Sequence, residues 1–330
     1  MTRMRRCFVC DADMVAPSAR HLIYPEGGRR AFPWACGACG VLLEGDAEAA
    51  RCREHLARAL AGALFVPDRH ASYGLDLYTV RSAATRFGRG LRPLEAADRA
   101  ALRHPHAERA ARAELYPLDA AETRPVSLGL LCRGDERDAV LARLPAQAGW
   151  TDDVAILLDG EDAAPRAVAV PGFTDGAVRV AARPLSGDFA AQRNALQALA
   201  RHPWMLQLDA DEALAPAAGR LLPPLAALAE DGAVRSIGLA RRNRVDGVLS
   251  DVYPDVQYRL NRRDVTYAGR VHERPCLAGG WRESLIALHG GIEHRLSRAH
   301  VEARSRIYET LDPGRGRPEE AEALLRPYRE

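Results

Sequence analysis

A chain of 330 residues exceeds one average core and implies two or three folding units. A hydrophobic content of 47% excludes global disorder, and a formal net charge of +2 excludes a chain built throughout to hold nucleic acid. The sequence contains no lysine, so all 46 cationic side chains are arginine and a functional arginine must be argued from its position.

The first residues, Met1-Thr-Arg-Met-Arg-Arg, look like the basic start of a signal peptide, but Cys7-Phe-Val-Cys follows where an apolar segment is needed. No apolar run approaches the ~20 residues of a membrane span. The expectation is a soluble, cytoplasmic protein with no transmembrane segment. Seven cysteines are an odd number in a chain that is not small, which argues against a disulfide scaffold.

Residues 1–58 hold five of those cysteines. Cys7-x2-Cys10 and Cys36-x2-Cys39 each suit one knuckle turn, and two knuckles supply four thiolates to one ion, a closed structural Zn2+ site. Gly37 and Gly40 are placed to bend the second turn. Unrelated reduced thiols are the plainer alternative. Cys52 and His55 could substitute as ligands or simply lie on a helix surface. This zinc-ribbon-like module lacks the basic and aromatic run of a nucleic-acid contact. Residues 59–124 are Ala- and Arg-rich with helical periodicity and read as a helical linker region.

From Pro125 short apolar runs alternate with helical segments, an α/β texture. Strands are predicted at Val126-Ser-Leu-Gly-Leu-Leu-Cys, Val154-Ala-Ile-Leu-Leu, Ala167-Val-Ala-Val, Val178-Arg-Val-Ala and Trp204-Met-Leu-Gln-Leu. Helices are predicted over 135–144 and over 189–201, the second capped by Asp188. Cys132, inside an apolar run, reads as core. This order favours a mostly parallel sheet whose ligands lie beyond the carboxyl ends of its strands, where Asp159 and Asp209 fall. Residues 313–330 form a Glu/Arg/Pro-rich tail, a short surface helix or a frayed end.

Asp209-Ala-Asp-Glu212 follows an apolar strand. Two carboxylates two residues apart can turn toward one hard cation, Mg2+ or Mn2+, which can bridge a sugar nucleotide's diphosphate and neutralise the departing nucleoside diphosphate. A bare pair of this kind is also common on surfaces.

The surrounding blocks carry more. Asp188-Phe-Ala-Ala-Gln-Arg-Asn-Ala-Leu, then Trp204-Met-Leu-Gln-Leu-Asp-Ala-Asp-Glu, resembles the heart of family 2 glycosyltransferases, in which a helix carrying Arg-Asn precedes the strand bearing the acidic pair. Val256-Gln-Tyr-Arg-Leu-Asn-Arg-Arg, Tyr267-Ala-Gly-Arg-Val-His-Glu and Ile292-Glu-His-Arg-Leu are similar to later blocks of the family, and the resemblance covers residues 125–312. It implies a GT-A-type, Rossmann-like sheet flanked by helices and an inverting, metal-dependent transfer of sugar from a nucleoside-diphosphate sugar. The acceptor would be a glycan, a lipid-linked glycan or a protein. Arg133-Gly-Asp-Glu and Asp159-Gly-Glu-Asp depart from the family's usual residues and leave donor base and sugar open.

The roles follow. Asp159 would hold the donor base or ribose, or merely cap a turn before Gly160. Arg193 would pair with phosphate and Asn194 would steady the same loop; a solvated helix face is the alternative. Asp209 and Asp211 would hold the metal, with His294 or His289 as a further ligand. Glu273 is the first candidate for the base that takes the acceptor's proton, His272 the second and Glu212 the third. Competing readings are a nucleotidyltransferase, which would need a glycine- and basic-rich phosphate loop near Pro125, and a non-catalytic zinc-ribbon protein with a degenerate GT-A domain.

Overall fold

The computed structural model describes residues 4–104, 107–314 and 317–329; the start of the signal-like segment, residues 1–3, lies outside them. Its largest feature is a sheet of ten strands. Across it run Ala163–Ala167, Val178–Arg183, Val154–Asp159, Val126–Arg133, Trp204–Asp209, Asp255–Arg262, Ser236–Val245, Ser284–Leu296 and Glu212–Leu214, with Val248–Leu249 beside Ser236–Val245. Val126–Arg133 is apolar along nearly its whole length and buried on both faces, as a central parallel strand should be. It pairs in parallel with Val154–Asp159 and Trp204–Asp209.

The sheet is mixed rather than mostly parallel. The parallel block runs from Val178–Arg183 to Trp204–Asp209. Asp255–Arg262 then lies antiparallel to both Trp204–Asp209 and Ser236–Val245. The link between Ser236–Val245 and Asp255–Arg262 is shorter than the roughly dozen residues a parallel crossover needs, so the chain doubles back. The strand expected at 167–170 also differs. Ala163–Ala167 forms an exposed antiparallel edge instead, and the apolar run after it ends in the Pro171-Gly172 turn, where Gly172 has φ +86°.

Alternation along Trp204–Asp209 sets the rest. Trp204, Leu206 and Leu208 point into one core, where Leu222–Asp231 packs its buried face of Leu222, Leu225 and Leu228. Met205, Gln207 and Asp209 therefore point to the other face. There Phe189–Ala198 packs Leu196 against Met205 and Ala155. Asp188 caps that helix, accepting a hydrogen bond from the Ala191 amide at 2.9 Å. The closeness of helix and sheet depends on Gly129: a β-carbon there would lie 2.9 Å from Met205 Sδ and 3.0 Å from Leu196 Cδ2.

Residues before Pro125 also differ from expectation. The stretch 59–124 holds the helices Leu77–Thr85 and Ala96–Ala101 but also a three-stranded sheet of Leu64–Phe65, Ala113–Pro117 and Arg89–Pro93. Gly88, at φ +65°, turns the chain after the first helix so that it returns as a strand. One apolar core runs from Cys7 to Leu115, so the cysteine-bearing segment and this stretch pack together. Tyr78 Oη donates to the Ser284 carbonyl at 2.5 Å, tying the core to the large sheet. In the tail, Pro318–Leu325 packs Leu324 onto Val245, Leu296 and Val301. Among the described residues no helix is long and apolar enough to cross a membrane.

Gly129→Val is expected to cost about 1–3 kcal/mol through overpacking between sheet and helix, measured as a lowered midpoint in urea with an unchanged slope.

Candidate functional site

Asp209 ends its strand facing the helix that carries Arg193. Arg193 Nη2 donates to both carboxylate oxygens, at 2.8 and 3.0 Å, and its Nε donates to Glu273 Oε1. Arg259, from the adjoining strand, donates through Nη2 to Asp209 Oδ2 at 3.1 Å and through Nη1 to Glu273 Oε1 at 3.4 Å. Two carboxylates and two guanidinium groups thus neutralise one another. The Arg193 side chain is 3% exposed and that of Asp209 is 32%, so solvent reaches this carboxylate. Burial pushes the proton affinity of Asp209 up, with Glu212, Glu273 and Asp211 adding to it and Arg193 opposing it. Burial also works to raise Glu273, but Arg193 outweighs it and leaves Glu273 below the usual carboxylate range.

Asp211 looks elsewhere. Its Oδ2 lies 3.1 Å from His294 Nε2. His294 is buried, and its Nδ1 lies 2.6 Å from Asn243 Oδ1. The amide of Asn243 is oriented by its other end, where Nδ2 donates to Asp255 Oδ2 at 2.9 Å. Asn243 Oδ1 can therefore only accept, which places a proton on His294 Nδ1. In the neutral imidazole, Nε2 then turns a lone pair toward a carboxylate oxygen. That contact is repulsive unless Nε2 carries a proton or a cation lies near both. Burial works to raise Asp211, and the His294 contact brings it below its ordinary value.

A bulge positions His294. Leu239 faces Ala287 and Asn243 faces His294, so four residues on one strand oppose seven on the other. Gly290 and Gly291 absorb the excess at φ +74° and +152°. A β-carbon on Gly291 would lie 2.7 Å from the Ala240 carbonyl oxygen. His289 sits in the bulge and faces the Arg86 carbonyl at 3.5 Å, away from Asp211.

The acidic pair thus divides: Asp209 faces two arginines and Asp211 an imidazole, where the spacing had suggested two carboxylates turned on one cation. Glu212 is locked away, accepting from the Asp209 amide at 3.1 Å and from Arg241 at 2.9 Å. Asn194 clasps the backbone of Tyr267, in the short strand Tyr267–Ala268, donating to its carbonyl at 3.0 Å and accepting from its amide at 2.7 Å. Asp159 is exposed and accepts from the Leu185 amide at 2.9 Å, as a turn-capping residue does. The strand Val126–Arg133 separates it from Asp209, roughly 10 Å across the sheet. His272, at φ +53°, turns its ring edge-on to Tyr308 at 5.2 Å. Arg259 and Asn243 were not singled out from sequence; Arg259 sits inside the quoted Gln-Tyr-Arg-Leu block, and nothing local marks Asn243.

The four cysteines converge. Cys7, Cys10, Cys36 and Cys39 are buried with their sulfurs all within 4.8 Å of one another, the only such group of three or more ligands among the described residues. Cys7 and Cys39 are 3.6 Å apart, and Cys10 and Cys36 3.7 Å. Thiolates on a tetrahedral Zn2+ with bonds of 2.3 Å would stand about 3.8 Å apart, so the set fits zinc. Each knuckle closes alike: the Asp11 amide donates to the Cys7 carbonyl at 2.8 Å and the Gly40 amide to Cys36 at 2.9 Å. Asp11 and Gly40 both have positive φ, whereas Gly37 does not. Cys52 lies in the surrounding core, and His55 bonds Tyr73 Oη at 2.9 Å.

No protein-family model matches the chain, and no curated protein sequence matches it. Solved structures similar to it include S. aureus TarS, at a TM-score of 0.31 and 13% identity over 61% of this chain and 42% of that one. TarS 1-349 in complex with UDP is similar at 0.32 and 11% identity, over 61% of this chain and 69% of that chain. TarS 1-349 is similar at 0.30 and 10% identity, over 60% and 70%. The chain spans less than half of the first.

The purified protein is expected to carry about one zinc per chain. Cys36→Ser should lower that content sharply and speed amide exchange throughout Ala49–Ala59, measured by metal analysis and hydrogen exchange.

Proposed function

We propose that this chain is a glycosyltransferase that moves a sugar from a nucleoside-diphosphate sugar to an acceptor hydroxyl, with inversion and with help from Mn2+ or Mg2+. The observation that carries the reading is the Asp211–His294 pair, an imidazole Nε2 set 3.1 Å from a carboxylate oxygen just past the carboxyl end of a parallel block. A carboxylate oxygen and a neutral imidazole suit Mn2+ well, and two protein ligands leave room for a diphosphate. Such an ion supplies charge neutralisation on the leaving nucleoside diphosphate.

The chain's own residues would divide the remaining work. Asp209 is engaged by arginine on both oxygens, so the ligand pair is Asp211 and His294, and Asp209 holds Arg193 and Arg259 at the rim. Those guanidinium groups are placed to receive negative charge from a bound donor. Asp159 would take the donor's base or ribose with the carboxylate edge that the Leu185 amide leaves open. Glu273 shares the arginine cluster, which favours it as the base over His272. Both arginine bonds fall on Oε1, leaving Oε2 for the proton of the acceptor hydroxyl. The two arginines weaken that base, so its strength would depend on the donor drawing them away.

A screen of nucleotide sugars with Mn2+, beginning with uridine-diphosphate sugars and reading nucleoside diphosphate release, tests the reaction class. Pyrophosphate release would instead mark nucleotidyl transfer. With the active donor, Asp211→Ala and His294→Ala should each lower turnover roughly 100-fold or more. A wild-type rate in Asp211→Ala would end this reading.

Asn243→Ala should raise the Mn2+ concentration needed for half-maximal activity by about 10–100-fold while saturating Mn2+ restores most of the rate, because Asn243 acts through His294.

A further inference from the structure

A cavity of about 470 Å³ lies between the N-terminal core and Leu222–Asp231, lined by residues of both. It is remote from Asp209. Its lining residue Asp231 follows Glu230, which bonds the indole of Trp204 at the opposite end of the strand that Asp209 terminates.

Arg81 forms part of the wall. It stands on Leu77–Thr85 and is 0% exposed. Its Nε, Nη1 and Nη2 make no hydrogen bond to any described residue. The Tyr78 ring lies 5.1 Å from the guanidinium carbon, and Nη1 packs against Gly232, where a β-carbon would lie 2.0 Å from it. Every other deeply buried arginine around the sheet is satisfied: Arg193 by Asp209 and Glu273, Arg241 by Glu212 and Asp255. A guanidinium with five donors, a full charge and no acceptor is a costly thing to bury unless something supplies the acceptor.

The rest of the wall fits an organic anion. Arg92 and Arg99 line the same cavity, and so does Tyr116. Leu91, Leu102 and Leu228 give it an apolar side. Glu122 and Asp231 also line it, but both are exposed, so water screens their repulsion and they can accept from hydroxyl groups of a ligand. The volume is that of a small-molecule site.

We propose that this cavity binds a small organic molecule through a phosphate or carboxylate group held by Arg81, with Arg92 and Arg99 at the rim. The ligand would join the N-terminal core to the large sheet, since its walls come from both. The inference does not rest on the transfer reaction proposed above.

The test uses the full chain in thermal unfolding and calorimetry, with sodium phosphate, sodium malonate, or sodium chloride at equal ionic strength. At about 100 times its dissociation constant, the effective anion should raise the folded-to-unfolded ratio roughly 100-fold over chloride. Phosphate or malonate acting alone identifies which oxyanion the site takes. Arg81→Met should lose that response while remaining as stable as the wild type, or more so, in chloride. Arg99→Gln, at an exposed position, should fold normally and bind at least about 3-fold more weakly. The proposal fails if neither anion acts beyond chloride, or if Arg81→Met responds like the wild type. Should Arg81→Met not fold, unchanged affinity in Arg99→Gln overturns it.

Discussion

Asp209, Glu273, Arg193 and Arg259 are shut together where none could stand alone. They come from a strand end, a loop, a helix and a neighbouring strand, so their mutual neutralisation fixes four elements at once. Removing Glu273 would leave the buried guanidinium of Arg193 short of a partner, and breaking a buried pair costs about 3–5 kcal/mol. The cluster is weak evidence for net stability and strong evidence for geometry, because few arrangements of these elements keep every charge satisfied. Gly129 lets the helix come close enough for Arg193 to reach, and the two-residue period of Trp204–Asp209 turns Gln207 and Asp209 toward it.

The second polar chain has a different character. Asp255 is held by Arg241 through Nε at 2.9 Å and Nη2 at 2.5 Å, it orients Asn243, Asn243 sets the tautomer of His294, and His294 meets Asp211. Each link fixes the donor and acceptor roles of the next. The chain ends on a contact that is satisfied only when a positive charge is supplied, by a proton or by an ion. Solvent reaches both aspartates, but the first cluster pairs Asp209 with two arginines, whereas Asp211 meets the imidazole.

What was legible in the sequence was short in range. Asp188 before an amphipathic run announces a capped helix, the largely apolar run from Val126 to Cys132 announces a central strand, and two Cys-x2-Cys pairs announce a four-sulfur centre. Each rests on residues within a turn or two of one another. The antiparallel half of the sheet was not legible, because pairing of Asp255–Arg262 with Trp204–Asp209 depends on partners about fifty residues apart with no local signature. The linear spacing of Asp209 and Asp211 likewise says nothing of what each faces. That is decided by Arg193, Arg259 and His294, which arrive from elsewhere in the chain. The strands within 59–124 were hidden by an Ala- and Arg-rich composition that suits helices, although Gly88 and Gly90 interrupt it.

The choice between His289 and His294 shows how a backbone irregularity assigns a role. Had the two parallel strands kept the register of Leu239 with Ala287, the residue opposite Asn243 would be Gly291, and no imidazole would meet the amide. Three extra residues, taken up at Leu288 to Gly291, bring His294 opposite Asn243 and leave His289 on the far side against the Arg86 carbonyl. Gly290 and Gly291 are the residues that can absorb them. Both have positive φ, and a β-carbon on Gly290 would lie 2.8 Å from Ala218 Cβ. The Gly-Gly pair between the two histidines is therefore what distinguishes them, though spacing alone makes them equivalent.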